Sequence, residues 1–438
     1  MRILLINPMM SSGWKPYMIP PIGLCSLKAA VEKETQHKVR VLDAGGLDIS
    51  EVKSYIEYYR PHVVGVTTFT EARHNALDVA RIAKNYGATV ILGGVHATHT
   101  WKQIKSNYPF VNFVCVGEGE QLFPWFLKDG FEPLISEGEI SYPTIKNLDE
   151  LPIPDYSDLN LSMYIDSGGP TKGKPLAAIE TSRGCPYDCA FCSSKSVWGN
   201  IRFKSVGRVL EELDNLVDRY QYKMVSFVDD IFTVSKKRTL ELCQGMTKYN
   251  LNWKCQTRTD RVDKDILVSM KEAGCKLIAF GVESGSPTIL ENIDKKESPE
   301  DIRVAFKLCK EVGIESVFNI IVGSPGETKE TLKETRQLIK ECNPDNVATA
   351  ALRAYPGSKI WELSIKEGLF TEDILLTKRE SFHYTGAMSL SQMYRELMKF
   401  RILQAQLRGF KGWFELIRMG LSLVWNTPIK MVRSVIGG

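Results

Sequence analysis

Three cysteines stand close together at Cys185, Cys189 and Cys192, with three and then two residues between them. A structural zinc ion takes four protein ligands, but the next cysteine is Cys243 and the next histidine is His383. Three thiolates without a nearby fourth ligand suit a four-iron cluster in which one iron stays open to another molecule. The spacing therefore indicates an iron–sulfur centre, with structural zinc as the alternative.

The chain that must position these cysteines has the composition of a globular protein. It has 438 residues, of which 43% are hydrophobic and 25% are charged, which excludes fibrous and wholly disordered proteins. Its 56 basic and 52 acidic residues give a net charge of +4, too balanced to indicate binding to nucleic acid. We find no apolar run long enough for a membrane-spanning helix and no signal peptide. We expect a cytoplasmic protein with reduced cysteines.

The other cysteines lie in apolar segments of the sequence. Such residues are typically buried free thiols, so we expect no second cluster. They are Cys25, Cys115, Cys243, Cys255, Cys275, Cys309 and Cys342.

Short apolar strands alternate with helical segments over the first 130 or so residues. The strand candidates are Arg2–Asn7, Lys38–Asp43, His62–Thr68, Thr89–Leu92 and Asn112–Val116, and the helical candidates are Pro21–Lys33, Ser50–Tyr59, Ala72–Tyr86, Trp101–Asn107 and Glu120–Lys128. Continuous apolar strands are typical of a sheet that is covered on both faces. The pattern predicts an α/β fold with a doubly wound, Rossmann-like sheet of five parallel strands.

A proline-containing linker over residues 141–172 separates this domain, residues 1–140, from a second alternating series. The strand candidates of that series are Leu176–Glu180, Met224–Val228, Trp253–Thr257, Leu277–Val282, Ser316–Val322 and Asn346–Leu352. Six β/α units are fewer than the eight of a closed barrel. We therefore expect a partial (β/α)6 barrel over residues 173–385, followed by a helical region over residues 386–438.

The cysteine motif after the first strand of this barrel resembles that of the radical S-adenosylmethionine (SAM) superfamily, and the resemblance covers residues 173–385. It implies that Cys185, Cys189 and Cys192 hold a [4Fe–4S] cluster whose open iron chelates SAM. It also implies that an electron from the cluster cleaves SAM to a 5′-deoxyadenosyl radical, which abstracts hydrogen from an unactivated carbon. An electron donor such as flavodoxin or ferredoxin would supply that electron.

Groups at the other strand ends fit the same resemblance. Some of them have a simpler structural alternative: a core ring for the aromatic residue, a helix cap for the paired acids, and a rim salt bridge for the arginine. The resemblance implies that the SAM contacts are Phe191, Asp229, Asp230, Arg258, Glu283 and Gly323.

A parallel-sheet domain before such a barrel resembles the cobalamin-binding subfamily. Paired glycines at a sheet edge let a flat macrocycle approach without clashes with Cβ atoms, although tight turns also use glycine. The implied cobalamin contacts are Thr67, Gly93, Gly94, Gly117 and Glu118.

One part of this chain departs from the cobalamin pattern. Cobalamin folds that coordinate cobalt use Asp-x-His-x-x-Gly after the second strand, whereas this chain has Asp43-Ala-Gly-Gly with no histidine. Many members of the radical SAM subfamily share this departure, which also leaves open that the cofactor has been lost. We expect the other nearby imidazoles, His96 and His99, to be solvent-facing loop residues rather than axial ligands.

The resemblance implies a cobalamin-dependent radical SAM enzyme, with methylation of an unactivated carbon as the leading activity. The alternatives are a non-methylating radical enzyme, which forms rings, rearranges or oxidises, and a cobalamin- or redox-sensing binding protein. The catalytic residues are not identifiable from the sequence. The substrate is expected to be a small molecule or a lipid, and not a nucleic acid. The apolar, basic segment 413–425 either caps the barrel or lies on the inner surface of the membrane.

Replacing Cys185, Cys189 and Cys192 together with alanine removes every thiolate of the proposed centre. We expect the four-iron signal in the Mössbauer spectrum to disappear after anaerobic reconstitution, because no other cysteines are grouped to replace them. A triple variant that keeps the wild-type signal would contradict this assignment.

Overall fold

Two parallel sheets, each of six strands, form the framework of the protein. The computed structural model describes residues 1–10, 19–128, 139–141, 144–166, 170, 172–378, 382–409, 412–414 and 417. In both sheets the carboxyl ends of the strands carry the loops that the sequence singled out, as expected for α/β folds.

The first sheet has the strand order β2-β1-β3-β4-β5-β6, and all of its pairs are parallel. Its strands are β1 (Arg2–Asn7), β2 (Lys38–Asp43), β3 (Val63–Thr67), β4 (Thr89–Gly93), β5 (Phe113–Val116) and β6 (Glu139–Ser141). The five predicted strands are all present, and the prediction of a doubly wound parallel sheet is confirmed. The short β6 adds a sixth strand at the edge, across the predicted boundary between the first domain and the linker.

Helices cover both faces of this sheet, and the sheet separates two layers of core. They are α1 (Ile22–Glu34), α2 (Ile49–Tyr59), α3 (Arg73–Asn85), α4 (Val95–Asn107) and α5 (Gly119–Lys128). Along β1, Leu4 and Ile6 belong to one core cluster, and Ile3 and Leu5 belong to the other. Alternate side chains of a strand point to opposite faces, so a continuous apolar strand serves both layers.

Helix α4 begins six residues before the predicted start at Trp101. The segment Gly93-Gly94-Val95-His96 suggested a loop, but the β3 loop satisfies the first free N–H groups of the helix. Thr68 accepts hydrogen bonds from His96 N at its carbonyl oxygen (3.1 Å) and from Ala97 N at its hydroxyl (3.0 Å). These partners are distant in sequence, so a local pattern does not contain the signal that starts this helix.

The second sheet is an open barrel in which consecutive parallel strands are neighbours, in the order β7-β10-β11-β12-β13-β14. Its strands are β7 (Ala177–Ile179), β10 (Met224–Phe227), β11 (Asn252–Thr257), β12 (Cys275–Glu283), β13 (Glu315–Val322) and β14 (Asn346–Ala351). A separate antiparallel ribbon joins β8 (Ser182–Arg183) to β9 (Arg202–Phe203). The prediction of a partial barrel with six strands is confirmed.

Helices α6 to α14 follow the barrel strands. They are α6 (Ser194–Trp198), α7 (Val206–Asp214), α8 (Lys236–Met246), α9 (Lys264–Glu272), α10 (Pro287–Asn292), α11 (Pro299–Val312), α12 (Lys329–Cys342), α13 (Lys359–Lys366) and α14 (Leu390–Leu407). Met393 and Phe400 on α14 are fully buried in the barrel core, so this helix is an integral part of the domain.

The segment 413–425 lies mostly outside the described residues, so the choice between a barrel cap and a membrane contact stays a prediction. In the part that is described, Trp413, Phe414 and Ile417 are exposed. None of the described helices has both the length and the hydropathy to span a bilayer.

The seven cysteines outside the cysteine triplet are buried and free, as expected. Because burial in apolar surroundings disfavours the thiolate, it raises the pKa of Cys115 and Cys309 to about 12. These thiols are core packing groups.

Gly274, in the turn between α9 and β12, is a position where a side chain should destabilise the fold. Gly274 has a φ of 96°, and a Cβ atom there would overlap the carbonyl oxygen of Leu251. We expect Gly274→Ala to lower the free energy of unfolding by more than about 1 kcal/mol in urea titrations. Gly207, exposed near the start of α7 with open space around it, is the matched control. Gly207→Ala should raise that free energy by up to about 1 kcal/mol, and a loss of stability in both variants would contradict this reasoning.

Candidate active site

The cysteine triplet lies on a loop, residues 184–193, that we call the cysteine loop. It runs from β8 to α6, and backbone hydrogen bonds of 2.9 Å link Ala190 to Ile293 and to Ile360. Cys192 is exposed, while Cys185 and Cys189 are partly buried. The barrel therefore holds the middle of the loop on two sides and leaves thiols accessible.

A single zinc ion would need the three thiols to lie close together. A tetrahedral ion with Zn–S bonds of about 2.3 Å brings its sulfur atoms to roughly 4 Å from one another. Among the described residues, no three histidine, cysteine or acidic side chains converge closely enough to hold one ion. The preference for an iron–sulfur cluster over zinc rests on the spacing of the three cysteines in the sequence.

Asp229 and Asp230, at the end of β10, bind residues that flank the cysteine loop on its two sides. Asp229 is buried and accepts hydrogen bonds from Thr181 N (3.1 Å), Thr181 Oγ1 (2.9 Å) and the Ser182 hydroxyl. Asp230 accepts a hydrogen bond from the Ser194 hydroxyl at the start of α6. Burial raises the pKa of both carboxyl groups. These contacts position the loop, and a direct contact of either carboxylate with SAM stays a prediction.

Arg258 follows β11 and is almost completely buried. Its Nε lies 2.8 Å from Asp260 Oδ1, its Nη2 donates to the carbonyl oxygen of Lys295 at 2.8 Å, and its guanidinium stacks 3.7 Å above the Tyr187 ring. Its Nη1 is buried and has no hydrogen-bond partner among the described residues. An unsatisfied buried donor is costly, so this atom is suited to bind an anionic group of a ligand such as a carboxylate.

Glu283, at the end of β12, lies in a cluster of buried charges that sequence reasoning missed. Lys295 Nζ lies 3.7 Å from Glu283 Oε1 and 3.9 Å from Glu297 Oε2, and that Glu297 oxygen has no hydrogen-bond partner among the described residues. Burial raises the pKa of Glu297 to about 7. The only signal in the sequence is the charged run Asp294-Lys-Lys-Glu297 between two helices. This run resembles a solvent-exposed loop, and only the fold buries Lys295 and Glu297 beneath the strand ends.

The loop after β13 contains Gly323, whose φ of 101° places it in the left-handed region. Its N–H donates to Glu327 Oε2 at 2.5 Å, while the buried Ser324 hydroxyl has no partner among the described residues. Burial raises the pKa of Glu327 to about 7. Phe191 is partly buried against a separate apolar cluster that contains Trp361. The proposed contacts of Gly323 and Phe191 with SAM stay predictions.

A cavity of about 420 Å³ opens at the carboxyl edge of the first sheet. All five of the predicted cobalamin contacts line it, together with three barrel residues. The lining residues from the two domains include Thr67, Gly93, Gly94, Gly117 and Glu118 from the first domain, and Glu180, Arg183 and Trp198 from the barrel. The structure thus brings the predicted residues together where the two domains meet, although their contact with a cofactor stays a prediction.

Two glycines that line this cavity pack too closely against their neighbours to carry a side chain. A Cβ at Gly94, whose φ is 92°, would lie 2.8 Å from Thr67 Oγ1, and a Cβ at Gly65 would lie 2.8 Å from a methyl group of Leu5. Real Cβ atoms are not found so close to such neighbours, so larger residues would distort the lining. The bare, mostly apolar edge fits part of a flat macrocycle or its nucleotide tail.

Glu118 lines the cavity, but other protein groups already bind its carboxylate. Oε1 lies 2.9 Å from Arg183 Nη1, while Oε2 lies 2.8 Å from Arg202 Nη1 and accepts from the Ile145 N–H at 2.8 Å. Its interactions in the structure are therefore interdomain ion pairs. A contact of Glu118 with cobalamin stays a prediction.

The expectation for His96 is wrong. It lies in α4 rather than in a solvent-facing loop, it is buried, and its Nδ1 is 3.2 Å from the Thr70 hydroxyl. Burial, with nearby positive charge, lowers the pKa of His96 to about 3. His99 is also on α4 and partly buried, 3.4 Å from the Ser196 hydroxyl of the barrel. Asp43, at the position of the missing cobalt-ligand motif, accepts a hydrogen bond from Tyr164 at 2.7 Å.

A doubly wound domain whose glycine-lined cavity meets the cysteine loop of an open barrel defines a class of enzymes that combine two cofactor sites. The family model of the radical SAM superfamily matches residues 179–339, and that of the B12 binding domain matches residues 16–127. An uncharacterized methyltransferase of Pyrococcus horikoshii is 34% identical over an alignment of 397 residues that covers 84% of each of the two chains. The chain belongs to the radical SAM superfamily, in the subfamily with a B12-binding domain.

Two further proteins are similar to this chain, one in sequence and one in structure. The anaerobic magnesium-protoporphyrin IX monomethyl ester cyclase of Rubrivivax gelatinosus is 28% identical, over 83% of this chain and 70% of the cyclase. The structure of the radical SAM methyltransferase TsrM from Kitasatospora setae has a TM-score of 0.67 at 18% identity, over 83% of this chain and 75% of TsrM. Its similarity supports the fold. By its family, the chain is a radical SAM enzyme whose cofactors are a [4Fe–4S] cluster, SAM and cobalamin.

The buried His96 should make the protein sensitive to acid. Because its folded-state pKa of about 3 lies below the ordinary value of 6.5, the unfolded chain binds more protons between these pH values. Stability from this residue is complete above pH 6.5 and is lost as the pH falls. We expect the titration of His96 to lower the free energy of unfolding by about 2 kcal/mol between pH 7 and pH 5.

Urea unfolding of wild type and His96→Gln across that pH range measures this effect. The variant should show the shallower decline with acid, because its residue 96 does not titrate. Parallel pH profiles for the two proteins would show that His96 does not carry the acid sensitivity.

Proposed function

We propose that the protein transfers a methyl group to an unactivated carbon of a small molecule. The observation that carries this proposal is that the glycine-lined cavity of the first domain opens toward the barrel beside the cysteine loop, since Arg183, two residues before Cys185, lines that cavity. A methyl donor and a radical generator would thus face one space. The Pyrococcus horikoshii relative, whose name describes a methyltransferase, supports the same activity.

The chain's own residues have three tasks in this proposal. Cys185, Cys189 and Cys192 would hold the cluster, which together with SAM and methylcobalamin supplies the electron, the hydrogen-abstracting radical and the methyl group. The Nη1 donor of Arg258 would bind the carboxylate of SAM. Glu283 would accept hydrogen bonds from its hydroxyl or ammonium groups.

The interdomain contacts would also keep water out of the site. On one side Arg183 and Glu118 form a buried ion pair of 2.9 Å. On the other side Glu71, in the loop after β3, pairs with Arg353 beyond β14 at 2.9 Å and accepts a hydrogen bond from the Tyr355 hydroxyl. A closed site protects reactive intermediates from side reactions, so we infer that the two domains act as one unit.

A second candidate function is non-methylating radical chemistry on the same cofactors. The 28% identity to an anaerobic cyclase favours keeping this alternative. A sensing protein is a weaker alternative, because a sensor does not need a complete set of ligand groups around the SAM site. We propose a cytoplasmic protein that receives electrons from a flavodoxin or a ferredoxin, and segment 413–425 would provide any contact with the membrane.

Products derived from SAM distinguish these functions. Protein purified anaerobically with hydroxocobalamin is reduced with titanium(III) citrate and supplied with SAM that carries a deuterated methyl group. Mass spectrometry should detect deuterated methylcobalamin, S-adenosylhomocysteine and 5′-deoxyadenosine, and the triple cysteine variant should lose the 5′-deoxyadenosine. 5′-Deoxyadenosine without S-adenosylhomocysteine would favour the non-methylating alternative. Absence of both products, or of corrinoid absorbance, would refute the methyltransferase proposal.

A further inference from the structure

Arg183 stands at the boundary between the two domains and binds three carboxylates at once. Its Nη1 lies 2.9 Å from Glu118, its Nη2 lies 2.6 Å from Glu120, and its Nε lies 2.7 Å from Glu180. Glu118 and Glu120 belong to the first domain, whereas Glu180 directly follows β7 of the barrel. We call this group of four side chains the Arg183 clamp.

The Arg183 clamp is buried, and its members are held in a fixed geometry. The side chain of Arg183 is only 5% exposed, and those of Glu118 and Glu120 are 4% and 8% exposed. Burial alone would raise the pKa of Glu120, but Arg183, together with a backbone N–H and Lys204, leaves this pKa below its ordinary value. A planar guanidinium offers its donors in fixed directions, so the three contacts set orientation as well as distance.

The Arg183 clamp is joined to the cysteine loop by a short, conformationally restricted piece of backbone. Only Gly184 separates Arg183 from Cys185, and Gly184 has a φ of 87°. A Cβ on Gly184 would lie 2.8 Å from the carbonyl oxygen of Asn200 and 2.9 Å from that of Gly199. The backbone at this point is therefore wedged against the turn after α6. A shift of Arg183 must move the first cluster ligand.

The other side of the clamp is equally close to the cavity of the first domain. Glu118 and Glu120 lie on either side of Gly119, where α5 begins, and follow directly after Gly117. All four residues line the cavity. One guanidinium thus bridges the edge that would hold cobalamin and the loop that would hold the cluster.

We propose that Arg183 is a positioning residue that sets the separation and orientation of the two cofactors. This inference rests on the proposed function, because it assumes that both cofactors are bound. It gives the arginine a role apart from binding. The arginine would keep the SAM site close enough to cobalamin for one SAM to donate its methyl group, and close enough to the cluster for a second SAM to be cleaved. A misplacement on the order of 1 Å can reduce a reaction about 100-fold.

Two substitutions open the clamp from its two sides. Arg183→Met removes the bridging cation, and Glu120→Ala removes one first-domain partner while the arginine stays in place. Arg183→Lys keeps the charge but not the planar fork. The matched control is Lys28→Met, because Lys28 is also a buried cation, 5% exposed, that binds two carboxylates, Asp158 at 2.6 Å and Asp155 at 3.1 Å. Lys28 does not line the cavity.

The first measurement is the magnetic interaction between the two cofactors in full-length, reconstituted protein. Iron, sulfide and corrinoid contents are first matched. In samples that contain the reduced cluster and cob(II)alamin, electron paramagnetic resonance then reports the relaxation enhancement of the cobalt signal by the cluster. We expect wild type and Lys28→Met to agree, and Arg183→Met and Glu120→Ala to show a changed or broadened distribution of distances. Arg183→Lys should lie between the two groups.

The second measurement uses SAM and titanium(III) citrate as the probe. The ratio of S-adenosylhomocysteine to 5′-deoxyadenosine should fall roughly tenfold or more in the two clamp variants, but not in Lys28→Met. Wild-type distances and ratios in both clamp variants at equal cofactor content would overturn the positioning role. Equal changes in Lys28→Met would overturn it too, since they would reflect general loss of stability. If wild type itself lacked corrinoid or both products, the proposed function would fail instead.

Discussion

Parallel strands end at one edge of a sheet, and this chain directs two such edges toward one shared space. Because each edge collects loops from several strands, ligand groups that are distant in sequence meet there. Arg183 links the two edges, since its guanidinium binds carboxylates of both domains from a position two residues before the first cysteine of the triplet. Each of the two edges is thus held in part by a contact with the other domain.

Some buried charged groups of the barrel site are bound by other protein groups, whereas others have atoms left to bind a ligand. Asp229 accepts hydrogen bonds from Thr181 and Ser182 and is therefore satisfied without a ligand. Arg258 Nη1 and Glu297 Oε2 are buried without a hydrogen-bond partner among the described residues. Unsatisfied groups of this kind reduce stability. A polar ligand with acidic and basic groups would supply the hydrogen-bond partners that these two atoms lack.

Sequence reasoning located most strands because their signal is local. Arg2–Asn7 and Lys38–Asp43 have the predicted bounds, since a run of apolar residues between turn residues is sufficient to define a buried strand. Helix α4 was predicted only in part and His96 was misplaced, because the start of that helix depends on Thr68 in another loop. The short β6 escaped prediction for a related reason: it is an edge strand defined only by its pairing with β5.

The cysteine triplet, the glycine pairs and the order of strands were sufficient to indicate the family, its cofactors and the two-domain architecture. These features are local spacings, and chemistry restricts them directly. Tertiary structure alone decided which charged residues are buried. It buried Lys295 and Glu297 near Glu283 at the end of β12, and it paired Glu118 with Arg183 of the other domain. Burial and ion pairing arise between segments far apart in the chain, and no local pattern encodes them.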